Sequence, residues 1–170
     1  MVCLVTLKFE GEYLNNQRNG KGKEYDIFTG KLKFEGEYLN GKKFGKGKEY
    51  YDDGNLKFKG EYLNGKRWNG KGYNIEGNID FEIKEGNGKG KEYNHKGKLK
   101  FEGEYINGEI NGLVKEYFIN GNLQFNGEYL KGKRNGKGRE YNYQNKLIYE
   151  GEYLEGEQKP KDFDENCINQ

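Results

Sequence analysis

Apolar and polar residues alternate along this chain in short bursts, and no stretch repeats at helical spacing. Residues 32–39 read Leu-Lys-Phe-Glu-Gly-Glu-Tyr-Leu, the period-two pattern of a strand. Asn40-Gly41 follows and supplies the pair of positive-φ positions that a two-residue hairpin turn needs. The chain returns through Phe44 to Tyr51, and Asp53-Gly54 predicts a second turn of the same kind. Each unit is therefore two antiparallel strands. The whole reads as an all-β meander of about thirteen strands, with no helix expected outside the C-terminal tail.

The unit recurs. Aromatic anchors at Phe9, Phe34, Phe58, Phe81, Phe101, Phe125 and Tyr149 follow one another at intervals of about 24 residues, the fourth unit being the shortest. Within the second unit the fixed positions are Phe34, Gly36, Tyr38, Gly41, Gly45 and Gly47. They return as Phe58, Gly60, Tyr62, Gly65, Gly70 and Gly72, with one residue inserted near Trp68, and as Phe125, Gly127, Tyr129, Gly132, Gly136 and Gly138. This pattern resembles the MORN repeat, in six or seven copies from Phe9 to about Glu157. Asn16 replaces the turn glycine of the first unit. The fourth has Ile83 for glycine and lacks most of its first turn, the fifth has Leu113-Val114, and the seventh stops after its first strand. Regular geometry is least expected in the fourth unit. The resemblance implies an elongated, twisted or curled single-layer sheet over residues 1–157, with 158–170 as a polar tail that is flexible or caps the last strand. It also implies a scaffold or adaptor acting through self-association or contacts with membranes and cytoskeletal proteins.

Counting outward from the turns gives a register. It sets Gly36 opposite Gly45, Phe34 opposite Gly47, Tyr51 opposite Leu56, Gly47 opposite Gly60 and Gly45 opposite Tyr62. All lie on one face, where Phe34, Tyr38, Phe58 and Tyr62 can cover neighbouring glycines. Gly36, Gly45, Gly47, Gly60, Gly127, Gly136 and Gly138 are then packing requirements. The other face is charged, with Glu35 expected against Lys46 and Lys33 against Lys48. It is relieved by rows that include Leu39, Leu63 and Leu130, and Tyr50, Tyr93 and Tyr141. A single layer with strands about 4.8 Å apart would extend roughly 60 Å without one compact core.

Composition changes this picture only by exclusion. A mean hydropathy of −1.23 and 34% charged residues lean towards disorder, but 28 glycines and 25 Tyr and Phe at regular places (15 Tyr plus 10 Phe) oppose it. A net charge of +2 gives no global pull on nucleic acid or anionic lipid. No apolar run nears the roughly 20 residues of a membrane-spanning helix. Val2–Leu7 lacks the flanks of a signal peptide, so a cytoplasmic location, membrane- or cytoskeleton-associated, is expected. Cys3 and Cys167 sit at opposite ends and form no ligand or redox motif, and in an extended array they are too far apart for a disulfide.

Catalysis finds no support in the residue types. The chain has no serine, and its single histidine, His95, falls in an inter-strand loop. Glu37, Glu61, Glu104 and Glu128 recur once per unit, which is sheet chemistry rather than one special acid–base pair. Gly60 to Arg67 approaches a phosphate-binding loop but has Arg67 where serine or threonine is needed, and it lies between strands. No catalytic residue, metal or cofactor is expected.

Two surfaces remain as candidates. The first is an aromatic partner groove of Phe34, Tyr38, Phe58, Tyr62, Phe101, Tyr105, Phe125 and Tyr129, taking a partner protein or a second copy of the chain. The second is a comb of basic hairpin tips, Lys42, Lys43, Lys66, Arg67, Lys133 and Arg134 with Arg18 beside them, suited to anionic phospholipid headgroups or simply to edge protection. Nucleic acid is the least favoured partner. Trp68 reads as a local plug for its insertion or as a partner anchor.

Overall fold

The structure is a computed structural model that describes residues 8–94 and 97–160. Cys3, His95, Cys167 and the tail from 161 lie outside the described residues. Among the described residues fourteen strands follow in chain order. They are β1 (Phe9–Leu14), β2 (Gln17–Tyr25), β3 (Leu32–Leu39), β4 (Lys42–Tyr50), β5 (Leu56–Leu63), β6 (Lys66–Tyr73), β7 (Ile79–Ile83), β8 (Gly88–Tyr93), β9 (Leu99–Ile106), β10 (Glu109–Tyr117), β11 (Leu123–Leu130), β12 (Lys133–Tyr141), β13 (Leu147–Leu154) and β14 (Glu157–Gln158). The all-β meander holds, but as two open seven-stranded sheets, β1–β7 and β8–β14, rather than one. The break falls in the fourth unit. There β7 and β8 are short, and only the isolated bridge Lys84–Asn87 joins them.

The first turn of each unit is of the expected kind. Asn40 and Gly41 have φ of 50° and 80°, and Asn15-Asn16, Asn107-Gly108 and Lys131-Gly132 follow suit. The fourth unit keeps this turn too, as Glu85-Gly86 with φ of 50° and 75°. The Gly N–H of each turn donates to a carbonyl just past the preceding turn. Gly41 reaches Arg18, Gly65 reaches Lys43, Gly86 reaches Trp68, Gly108 reaches Gly86, Gly132 reaches Ile110 and Gly156 reaches Arg134, all at 2.7–2.9 Å. This spine runs unbroken past the point where the sheets part.

The expected register needs correction at both kinds of turn. Gly36 lies opposite Gly47, not Gly45, and Phe34 lies opposite Glu49, because Gly45 and Lys46 form a two-residue bulge between Phe44 and Gly47. Gly45 has φ of 60°, and Gly20, Gly112 and Gly136 repeat it at 71°, 68° and 96°. Only glycine takes this conformation without strain. In β6 the bulge is the single residue Trp68, so Gly70 takes the place of Gly47. The expected insertion there is thus a strand one residue shorter. Beyond the second turn, Gly47–Gly60 and Gly45–Tyr62 pair as expected, but Tyr50, not Tyr51, meets Leu56. The Gly54 N–H closes a turn on the Tyr51 carbonyl at 2.9 Å with Gly54 at φ 90°, which takes Tyr51 out of the strand.

A row of glycines crosses each sheet at right angles to the strands: Gly11, Gly22, Gly36, Gly47, Gly60 and Gly70 in the first, and Gly90, Gly103, Gly127, Gly138 and Gly151 in the second. Side chains enter this row at Ile83 and Val114, and both are buried. Phe34 shows why glycine is needed. Its Cζ lies 2.6 Å from where a Cβ on Gly47 would stand and 2.8 Å from one on Gly36. Rings pack edge to face along the row, Phe34 against Tyr62 at 5.1 Å and Phe125 against Tyr153 at 5.2 Å. One cluster of buried residues, from Phe34 through Phe81 and Ile83 to Phe101, Tyr105 and Val114, spans both sheets.

Candidate functional site

On the aromatic face the first, second and sixth units each contribute a phenylalanine, a tyrosine, a carboxylate and a basic residue. Alternation from the ring positions places Glu24, Glu49, Glu116 and Glu140 on this face, and the second residue after each turn joins them. Lys43 Nζ stands 4.1 Å over the Phe34 ring, Arg67 Cζ 4.8 Å over Phe58 and Arg134 Cζ 4.2 Å over Phe125. Arg134 bridges Glu116 at 3.0 Å and Glu140 at 3.1 Å. The Tyr129 and Tyr153 hydroxyls donate to the same two carboxylates.

Arg67 is the special member. In its unit Gly72 stands where the others have the carboxylate, and the Phe81 ring lies over that glycine. Arg67 therefore pairs with Glu49 of the preceding unit and with Glu92 of the second sheet at 2.6 Å, and Lys57 also pairs with Glu92. Burial pushes the Glu49 carboxyl up, but the Arg67 guanidinium outweighs it and holds the group down at about 2. Glu92 is lowered by the same balance, burial opposed by Arg67 and Lys57. The Tyr62 hydroxyl is raised, first by burial and then by the Glu49 charge.

Of the expected partner-groove rings, Phe34, Tyr38, Phe58, Tyr62, Phe101, Tyr105 and Phe125 are buried and Tyr129 is partly buried. They cover the sheet's own glycines, with Arg and Lys side chains laid over them. Of the basic tips, Lys43, Arg67 and Arg134 turn onto this aromatic face. Lys66 and Lys133 pair with Glu109 and Glu155 at 2.7 Å, and Lys42 is exposed. Trp68 packs against Gly86 in the turn that joins the sheets, and its carbonyl accepts the Gly86 N–H.

The charged face is the open one. Corrected by the bulges, Glu35 meets Lys48 rather than Lys46, in an ion pair of 2.9 Å, and Lys33 pairs with Asp26 rather than lying against Lys48. Tyr25, Tyr50, Tyr93 and Tyr117 donate to Glu10, Glu35, Asp80 and Glu102. The recurring Glu12, Glu37, Glu104 and Glu128 sit over the bulge glycines, and Glu12 accepts the Lys21 N–H at 3.1 Å. In the first sheet this face forms a groove of about 970 Å³ floored by Gly11, Gly22, Gly36, Gly47, Gly60 and Gly70. One wall is the row Glu10, Lys23, Glu35, Lys48, Lys59, Lys71 and Glu82, and the other is Lys21, Glu37, Lys46 and Glu61. Sequence reasoning missed this groove because the bulges that set its walls are not written in the alternation. Its one legible trace was Lys59, which stands in a position that other units fill with glutamate or, once, asparagine.

A protein-family model described as MORN repeat matches residues 9–26, 34–56, 101–123 and 125–142. No curated protein matches the chain. Among the described residues no cluster of His, Cys, Asp and Glu is arranged to hold a metal ion, and no helix is long and apolar enough to cross a membrane.

Proposed function

Because the chain is a MORN-repeat protein, we propose that it is a non-catalytic scaffold that holds a protein partner in the groove on the charged face of its first sheet. MORN repeats are in general interaction repeats, for proteins or membranes, and typically non-catalytic. The observation that carries the choice of face is the contrast in closure. Phe34, Phe58 and Phe125 are 0% exposed beneath their own arginines and lysines, whereas the opposite groove is open along the first sheet.

Its dimensions favour one kind of occupant. The two walls rise from positions two residues apart along each strand, about 6.8 Å, and the glycine floor between them crosses five strand spacings, about 24 Å. A helix with its side chains is about 10 Å across and would ride on the walls. An extended segment fits between them, over backbone that carries no side chain. A bilayer is flat and meets only the rims.

The test places a photo-crosslinking residue at position 46 of the full chain, in the groove, and separately at 137, its counterpart in the second sheet. A discrete protein crosslinked from 46 and not from 137, and lost when Glu61→Trp fills the groove, supports the reading. Equal crosslinking from both positions, or insensitivity to Glu61→Trp, overturns it.

A further inference from the structure

One wall of the groove breaks a rule that the rest of the molecule keeps. Along this wall acidic and basic residues face each other across neighbouring strands: Glu10 with Lys23, Lys23 with Glu35, Glu35 with Lys48 and Lys71 with Glu82. In the second sheet Lys91 faces Glu102, Glu102 faces Lys115, and Arg139 faces Glu150. Ion pairs form there, at 3.2 Å for Lys115–Glu102 and 2.7 Å for Arg139–Glu150. The position next to the central glycine is acidic or amide in six units, as Glu10, Glu35, Glu82, Glu102, Asn126 and Glu150. In the third unit it is Lys59. Lys59 therefore faces Lys48 on one side and Lys71 on the other, three lysines directly opposed on adjacent strands. Directly opposed like charges cost stability, because their Cβ atoms lie only about 5 Å apart.

We infer that Lys48, Lys59 and Lys71 form the anchor for a carboxylate-rich extended segment of a protein partner. The argument is charge complementarity within a confined groove. The triplet lies towards one end of a trough whose limits are acidic, Glu10 at one and Glu82 at the other, with Glu35, Glu37 and Glu61 between. A continuous polyanion such as a nucleic acid strand would meet those carboxylates as well as the lysines. A short run of carboxylates flanked by neutral or basic residues meets the three lysines, with Glu61 the one carboxylate across from Lys59, and contact with Lys59 relieves a repulsion that the free protein carries.

This inference rests on the groove reading, and its test is separable from that one. The probe is a fluorescein-labelled tetraglutamate flanked by Gly-Ser, titrated with the full chain and followed by anisotropy. Saturable binding that weakens with salt is expected. Lys59→Glu, which restores the pairing of the other units, should lower affinity by at least about tenfold while the melting temperature stays level or rises, so misfolding does not explain the loss. Lys115→Glu in the second sheet should leave binding unchanged. Absence of saturable binding, equal affinity of the Lys59→Glu chain, or displacement of the probe by phosphatidylserine vesicles or an oligothymidylate at matched charge would overturn the inference. If the probe fails while crosslinking from position 46 stands, the groove reading survives and only the partner's chemistry is wrong.

Discussion

The first and second sheets are built from the same unit and the same number of strands, yet they present different charged faces. In the first, the glycine row runs unbroken from Gly11 to Gly70 beneath a groove of about 970 Å³. In the second, Leu113 takes the bulge position held elsewhere by Lys21, Lys46 and Lys137, and the corresponding hollow is about 380 Å³. The acidic and basic residues of the second sheet pair off, whereas the first, although Glu35 pairs with Lys48, keeps three lysines face to face. Identical scaffolding beneath unlike surfaces indicates that the aromatic face holds the array together, while the opposite face is free to differ from unit to unit.

That division can be broken or sharpened by substitution. The largest effect belongs to the aromatic face. Phe34→Ala removes a fully buried ring from over Gly36 and Gly47 and should cost about 4 kcal/mol, measured by urea unfolding. Phe125→Ala should cost a similar amount in the second sheet. A marked inequality would mean that one sheet depends on the other for its stability.

Next comes the latch between the sheets. Arg67→Met leaves Glu49 without its paired cation and Glu92 with Lys57 alone, and should cost about 3 kcal/mol. Unfolding should also separate into two transitions, seen as non-coincident signals from fluorescence and circular dichroism. A single shared transition in this variant would show that the turn spine and the shared buried cluster couple the sheets without Arg67.

Acid should act at the same place. Glu49 is depressed in the folded chain to about 2 from an ordinary 4.5, so its contribution is complete above pH 4.5 and is lost as the pH falls towards 2. Stability measured across that window should decline, and less steeply in Arg67→Met, where the cause of the depression is gone.

The smallest effect concerns the groove. Lys59→Glu should stabilise the first sheet by about 0.5 kcal/mol, and Glu102→Lys, which builds the opposed lysines into the second, should destabilise by about as much. For a chain of this size those changes move the melting point by about 1–2 °C, in opposite directions. Changes of like sign would undo the comparison of the two walls.

The repeat, its turns and the pairing of rings with glycines were legible because each is written in local spacing. Asn40-Gly41 announces its turn, and Phe34, Gly36 and Tyr38 announce their shared face. The bulge at Gly45 was not legible, since a glycine inside a strand looks the same whether it lies flat or turns left-handed. That ambiguity shifted every expected pair between β3 and β4 and concealed which charges meet. Arg67 was read as a surface tip because nothing local reveals that Gly72 has vacated a carboxylate and left Glu92 to supply one. Both are relations between units, and a single unit cannot state them.

The row of turn hydrogen bonds has a mechanical consequence. One backbone bond per unit joins neighbours along one margin at a fixed stride of two strands, about 9.6 Å, while the described loops of the other margin are joined by side-chain bonds, such as Asn55 to the Ile75 carbonyl and Asn122 to the Tyr143 carbonyl. Tension applied across the strands would load these bonds one at a time, so the array should open from an end like a zipper, at low force and in steps of one unit. Tension along the strands would load many bonds at once in shear and meet far greater resistance.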